Sequence, residues 1–232
     1  MRELFEREGF SLSPQEEELF NKYLQMILSA PFNITSLSLR DPVAIIYRHF
    51  IDSLYVTKFL DFSPFENLLD VGTGGGFPGI PLKIKNPHLN LFLLESSEKK
   101  ASFLREVVEK LGLANVKVLS GRAEELAKDP SLRGKMDIVV ARALAPLNVS
   151  LELTIPFLKV NGLFITYKGK KVFDEIDSAQ RALTLLYSEV ERVEEYYIGG
   201  IDFKGFLVFI RKRRKTPESY PRKAGIPSKR PL

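Results

Sequence analysis

The stretch Asn67–Leu82, NLLDVGTGGGFPGIPL, decides how this chain is read. An apolar run (Leu68, Leu69, Val71) stops at four glycines within five positions, and a second run (Ile80, Leu82, Ile84) follows Pro78 and Gly79. A buried strand, a tight glycine turn and a helix start produce this order. Glycine suits such a turn because its backbone takes positive φ and lets a ligand approach closely. The free N–H groups of a helix start favour a polar or anionic ligand group.

Two registers of the glycines compete. Gly74-x-Gly76-x-x-Gly79 fits a dinucleotide fingerprint. Pro, however, prefers the first helical position, which sets the helix start near Pro78. The better register is Asp70-x-Gly72-x-Gly74-x-Gly76, with an acid two places before the first glycine. It resembles motif I of S-adenosylmethionine-dependent methyltransferases. That resemblance implies an acid near the cofactor's ammonium, directly or through water, and glycines along its methionine part. The structural alternative is an ordinary glycine turn of an α/β protein.

Downstream, Leu89–Leu94 predicts a second buried strand ending at Glu95. An acid at that strand end can accept both hydroxyls of a ribose. Ser96 or Ser97 caps a helix that runs to Leu111 and closes at Gly112. Asn115–Leu119 predicts a third strand, followed by Ser120-Gly121-Arg122-Ala123-Glu124-Glu125. This turn either touches an adenine in the switch-point crevice or is a plain strand-to-helix connection. Met136–Ala141 predicts a fourth strand ending at Arg142, whose guanidinium suits a cofactor carboxylate, a phosphate, a guanine or a structural ion pair. No Asn/Asp-Pro-Pro-aromatic motif follows it, and the chain has no cysteine, the nucleophile of cytosine C5 methylation. An acceptor with a lone pair and no proton to remove, such as guanine N7, needs neither device. Further on, the pattern predicts a helix over Leu147–Leu158, a strand over Gly162–Tyr167, a helix over Glu175–Leu186, and an antiparallel pair, Val190–Ile198 with Phe206–Ile210.

Upstream, Ser13-Pro14-Gln15-Glu16 opens a helix that ends at Ala30-Pro31. Asp41-Pro42 caps a second, through about Phe59. Arg48, His49, Asp52 and Ser53 lie on it at helical spacing, as a surface patch or as part of a substrate cleft.

Residues 211–232 hold nine Lys/Arg against Glu218 alone, a balance of +8 that leaves −3 for residues 1–210. Such a tail suits a polyanion. Tyr220, Ile226 and four prolines let it dock on the body or on RNA; beyond Lys215 the pattern predicts no strand or helix. No apolar run reaches the ~18 residues of a membrane span, and the charged start MRELFEREGF lacks the uncharged h-region expected of a signal peptide. We therefore expect a cytoplasmic protein with no membrane partner and no metal, organised as an N-terminal helical extension (1–60), a methyltransferase domain (61–212) and a basic C-terminal tail (213–232).

Over nearly its whole length the chain resembles the bacterial 16S ribosomal RNA guanine-N7 methyltransferases, also called glucose-inhibited division protein B. The resemblance rests on Asn33-Ile34-Thr35, Arg48-His49-Phe50-x-Asp52-Ser53-Leu54, the run from Asp70 to Leu82, Arg122-Ala123-Glu124-Glu125, Ala141-Arg142-Ala143 and Lys168-Gly169. The C-terminal run from Tyr220 to Leu232 completes it. It implies a class I, Rossmann-like α/β fold with a mostly parallel seven-strand sheet, and transfer of a methyl group from S-adenosylmethionine to a guanine in the 530 loop of 16S rRNA. We expect S-adenosylhomocysteine as the product and a monomer that acts on the small ribosomal subunit or its precursor. It implies cofactor contacts from Asp70, Gly72, Gly74, Gly76, Phe77, Glu95, Ser96, Ser97, Ala123, Glu124 and Arg142. RNA contacts fall to Asn33, Arg48, His49, Asp52, Lys168, Arg211, Arg213, Arg214, Tyr220, Arg222, Lys229 and Arg230. Arg142 and His49 are the candidates for a catalytic role.

Overall fold

The computed structural model describes residues 1–30, 41–64 and 66–232; Asn33 and its Asn-Ile-Thr run lie outside them. Seven strands, β1 (Asn67–Val71), β2 (Asn90–Glu95), β3 (Val116–Ser120), β4 (Met136–Arg142), β5 (Leu158–Lys168), β6 (Ser188–Ile198) and β7 (Phe203–Lys212), form one sheet in the order β3-β2-β1-β4-β5-β7-β6. The first five are parallel, and β7 inserts antiparallel between β5 and β6. The chain reverses direction across the sheet between β1 and β4, the place where open α/β sheets bind ligands at strand carboxyl ends.

The inner strands read as nearly continuous apolar runs because both faces are covered. Leu68, Leu91, Ile138 and Ile165 point to one cluster, and Leu69, Val139, Phe164 and Val208 to the other. The first face packs against α1 (Arg2–Arg7), α2 (Pro14–Ser29), α3 (Pro42–Ile45), α4 (Asp52–Leu54), α5 (Gly79–Lys85) and α6 (Glu98–Lys110). The second packs against α7 (Ala123–Leu126), α8 (Leu147–Thr154), α9 (Val172–Ser178) and α10 (Gln180–Leu185). The N-terminal helices thus share one apolar cluster with the sheet.

Ser13 and Glu16 form the capping box that opens α2, and the Asp41 side chain accepts from Val43 N. The helix expected from Asp41 to Phe59 is one continuous helical run, but it widens into a π turn over Ile46–Ile51 between α3 and α4. Such a turn rotates the following side chains relative to regular α spacing. The helix expected over 175–186 is two helices, and a short α11 (Ile226–Lys229) lies where no element was predicted.

Candidate active site

The strand carboxyl ends bring together Asp70 on β1, Glu95 on β2, Ser120 on β3, Arg142 on β4 and Lys168 on β5. Asp70 is fully buried. Its Oδ2 accepts from Thr73 Oγ1 (2.6 Å) and from Gly79 N (2.8 Å), so it satisfies an orphan N–H at the start of α5. Pro78 sits one residue outside that helix, at its N-cap. The protein's own packing also constrains two of the glycines. A Cβ on Gly79 would stand 3.0 Å from Asp70 Oδ2, and one on Gly72, at φ +70°, would stand 2.6 Å from Leu144 Cδ1. The turn is also held from the N-terminal region: Tyr23 Oη donates to the Gly75 carbonyl, and its ring stacks on Phe77.

Glu95 Oε2 accepts from Gly74 N and Oε1 from Ser97 N, both at 2.9 Å, so one carboxylate ties the glycine turn to the start of α6. Ser97 is the N-cap of α6 without a side-chain cap bond, and Ser96 is exposed. Burial pushes the Asp70 carboxyl up to about 7, with Glu95 adding to the rise. Its Oδ1 is buried with no partner. A carboxylate oxygen lacking a partner beside a second acid suits a ligand with a cationic group and vicinal hydroxyls, which is the chemistry of S-adenosylmethionine.

Arg142 is the junction of the site. Its Nη1 donates to Asp52 Oδ2 (2.6 Å) and to the Arg48 carbonyl (3.0 Å), and its Nη2 lies 3.0 Å from His49 Nδ1. The guanidinium also stands over the Phe77 ring of the glycine turn, 5.4 Å from its centroid. Asp52 takes a second bond from Tyr196 Oη (2.6 Å), and Tyr167 Oη donates to the Ser53 carbonyl. His49, Asp52 and Ser53 are therefore buried and not on a surface patch, His49 and Asp52 lining the cleft, while the Arg48 side chain is exposed. Burial, with Arg142 and Arg48 nearby, lowers the His49 imidazole to about 3, so the ring is neutral near pH 7. Arginine can only donate. Nδ1 is then the acceptor and Nε2 carries the proton, and Nε2 is buried without a partner.

Beside this cluster lies a cavity of about 500 Å³ lined by Arg48, His49, Asp52, Arg142, Tyr196 and Lys168, with Ile198, Ile201 and Phe203 supplying apolar walls. Lys168 Nζ is held by the Ala145 carbonyl (2.9 Å) and Glu175 Oε2 (2.7 Å). Neither Glu95 nor the glycine turn lines the cavity. Arg142 thus links this cavity to the glycine turn through Phe77.

The sequence profile of the family described as "GidB: rRNA small subunit methyltransferase G" matches residues 16–199. The chain belongs to this family. It is 43% identical to the ribosomal RNA small subunit methyltransferase G of Thermoanaerobacter sp. (strain X514) over 97% of this chain and 93% of that protein. It is 38% identical to that of Streptococcus pyogenes serotype M12 (strain MGAS2096) over 98% and 96%. Among solved structures, a SAM-dependent methyltransferase from Aquifex aeolicus superposes with TM-score 0.55 at 20% identity, covering 85% of this chain and 98% of that one. A mutant of MtNAS in complex with S-adenosylmethionine superposes with TM-score 0.58 at 16% identity, over 85% and 73%. These two likenesses concern the class I fold. The chain is accordingly an S-adenosylmethionine-dependent rRNA methyltransferase.

The C-terminal segment of this methyltransferase is docked on its body. Arg222 clasps Glu152, whose side chain is fully buried, and Gly225 N donates to Glu124 Oε1 (2.9 Å) at the start of α7, next to Ala123. Arg133 donates to the carbonyls of Thr216, Pro217 and Tyr220. Of the cations assigned to RNA, Arg211 pairs with Glu191 and Arg213 with Glu189, and Arg214 lies over the Tyr187 ring. Lys229 and Arg230 are exposed and make no ion pair among the described residues. Sequence reading missed Tyr167 and Tyr196, which line the cavity, Tyr23, which holds the glycine turn, and Glu152, which anchors the tail. One signal existed for Tyr196: Gly205, inside β7, lies directly opposite it, and a Cβ there would stand 2.3 Å from Tyr196 Cζ. Glycine in a strand interior often marks such a close approach.

Proposed function

We propose that this methyltransferase acts on N7 of a guanine in the 530 loop of 16S rRNA, as a cytoplasmic monomer working on the small ribosomal subunit or its assembly precursor. The observation that carries this reading is the junction at Arg142, which touches the glycine turn through Phe77 and the cavity through His49 and Asp52. A cavity of about 500 Å³ lies within the range of ligand pockets and admits a nucleotide turned out of its stack.

In this reading Asp70, the turn from Gly72 through Gly74 and Gly76 to Phe77, Glu95, Ser96, Ser97, Ala123, Glu124 and Arg142 hold S-adenosylmethionine. Glu95 accepts from the ribose and the free oxygen of Asp70 faces the ammonium. Bound S-adenosylmethionine supplies an electrophilic methyl group. The protein's own residues hold the acceptor in line, so the rate enhancement comes mainly from orientation and exclusion of water. N7 of guanine has a lone pair and no proton. Neither His49 nor Asp52 has to act as a base, consistent with an imidazole already accepting from Arg142 and a carboxylate already bonded twice. Arg48, exposed at the cavity mouth, and the exposed cations of the docked tail meet RNA phosphates, while Lys168, held by Glu175, lines the cavity wall.

The test is transfer of labelled methyl from S-adenosylmethionine to 16S rRNA or 30S particles, with mass-spectrometric mapping of the product nucleoside. The reading requires 7-methylguanosine in the 530 loop. Label confined to another nucleoside, or to another loop, refutes it.

A further inference from the structure

At the opposite end of the sheet from Arg142, the amino ends of β4 and β5 and the carboxyl end of β7 enclose a second cavity, of about 360 Å³. A seven-residue strand separates the two ends, about 20 Å. Lys212 lines this cavity at 3% exposure. Two of its protons go to the Ile155 and Leu158 carbonyls (3.0 and 2.6 Å). An ammonium carries three, so one remains. Arg133, 17% exposed, lines it too, and its four guanidinium bonds all go to backbone carbonyls.

Neutral carbonyls take most of the donors of these two cations but do not neutralise them. Burial and the neighbouring Arg133 lower Lys212 to about 8, as two adjacent cations without a buried counter-ion require. The one acid among the described lining residues is Glu218, 93% exposed and 3.8 Å from Arg133 Nε. Lys135, Lys159 and Lys215 add three exposed cations at the rim, of which Lys159 is held by Asp137. Independently, Thr216 lines the cavity at 6% exposure with its hydroxyl unpartnered. Buried polar groups without partners are rare and call for a missing ligand or water.

We propose that this cavity is a phosphate-binding site, separate from the methyl-transfer centre, in which Lys212, Lys215 and Thr216 donate to the phosphate oxygens. The number of converging donors and the local excess of positive charge suit a tetrahedral phosphate better than a carboxylate, which two donors satisfy. An RNA phosphodiester and a free or terminal phosphate share this chemistry. The proposal does not depend on which nucleotide is methylated.

The test uses the full-length protein and inorganic phosphate, followed by amide NMR. Saturable shifts at Gly134 and Lys212–Thr216 are expected. The double variant Lys215→Ala, Thr216→Val should weaken phosphate binding about tenfold. Both changes are compatible with the fold, since Lys215 is exposed and valine replaces a hydroxyl that has no partner; thermal unfolding checks this. An RNA oligonucleotide without terminal phosphates forms the second arm. Competition with phosphate at these amides assigns the site to the RNA backbone, and failure to compete assigns it to free or terminal phosphate. Absence of saturable shifts in the unmodified protein, or equal phosphate binding by the double variant, overturns the proposal.

Discussion

Arg142 Nη1 and Asp52 Oδ2 are 2.6 Å apart although 90 residues separate them in sequence, and Tyr196 Oη holds the other oxygen of the same carboxylate at the same distance. This relay fixes the guanidinium between the glycine turn and the cavity. Tyr196→Phe removes one bond to Asp52 and should cost about 1.5–3 kcal/mol of stability, measured by urea unfolding. If the relay orients Arg142, methyl transfer falls further than cofactor affinity does.

Gly205→Ala tests the same relay from the other side of the strand pair. Its Cβ meets the Tyr196 ring, so the ring must shift and the bond to Asp52 weakens. Overpacking of this kind costs about 1–3 kcal/mol. Combined with Tyr196→Ala the clash disappears, so the two losses should be strongly non-additive. Simple additivity in a double-mutant cycle rules out the steric link.

Acid stability should depend on His49. Its imidazole titrates near 6.5 when unfolded and at about 3 when folded. Between those values the unfolded chain binds a proton that the folded chain does not, so falling pH destabilises the fold. From about pH 6.5 to about pH 5 the loss is on the order of 2 kcal/mol. His49→Gln should remove that part of the pH dependence; identical slopes for the two proteins contradict a buried neutral ring.

Asp70 has the opposite sign. Its carboxyl is raised to about 7 when folded, from 3.8, so the folded chain holds a proton that the unfolded chain releases and stability declines as pH rises through this window. Asp70→Asn should stabilise the protein at about pH 8, by a few kcal/mol at most. It should weaken S-adenosylmethionine in an equilibrium titration. Unchanged cofactor affinity removes Asp70 from the ammonium site.

The tail cannot be tested by deleting residues 211–232. That cut takes the end of β7 and strips Arg222 from Glu152, and leaving such a buried carboxylate alone costs about 3 kcal/mol. Replacing Arg214, Lys229 and Arg230 with glutamine keeps β7 whole and the Arg222–Glu152 pair intact. If these cations meet RNA phosphates, log affinity against log salt flattens by about 0.7 for each phosphate no longer neutralised. An unaltered slope shows that they do not.

The local elements were legible because their causes are local. Four glycines after an apolar run, Ser13 with Glu16, and Gly112 after Leu111 each set a turn or a helix end within a few residues, and the apolar strands declared a sheet buried on both faces. The acids Asp70 and Glu95 were legible as strand-end residues for the same reason. Tertiary structure decided what those groups touch. Asp70 caps α5 and Glu95 braces the glycine turn, because the return of the chain brings backbone N–H groups to them. The patch at His49 and Asp52 became cleft rather than surface because the π turn and the arrival of Arg142 from β4 buried it. The tail looked like free charge, yet Arg222 finds Glu152 and Lys212 finds carbonyls, since a charge's partner 50 to 70 residues away leaves no periodic trace in sequence. Spacing records what a residue does to its own backbone, and only the folded chain records which distant group neutralises it.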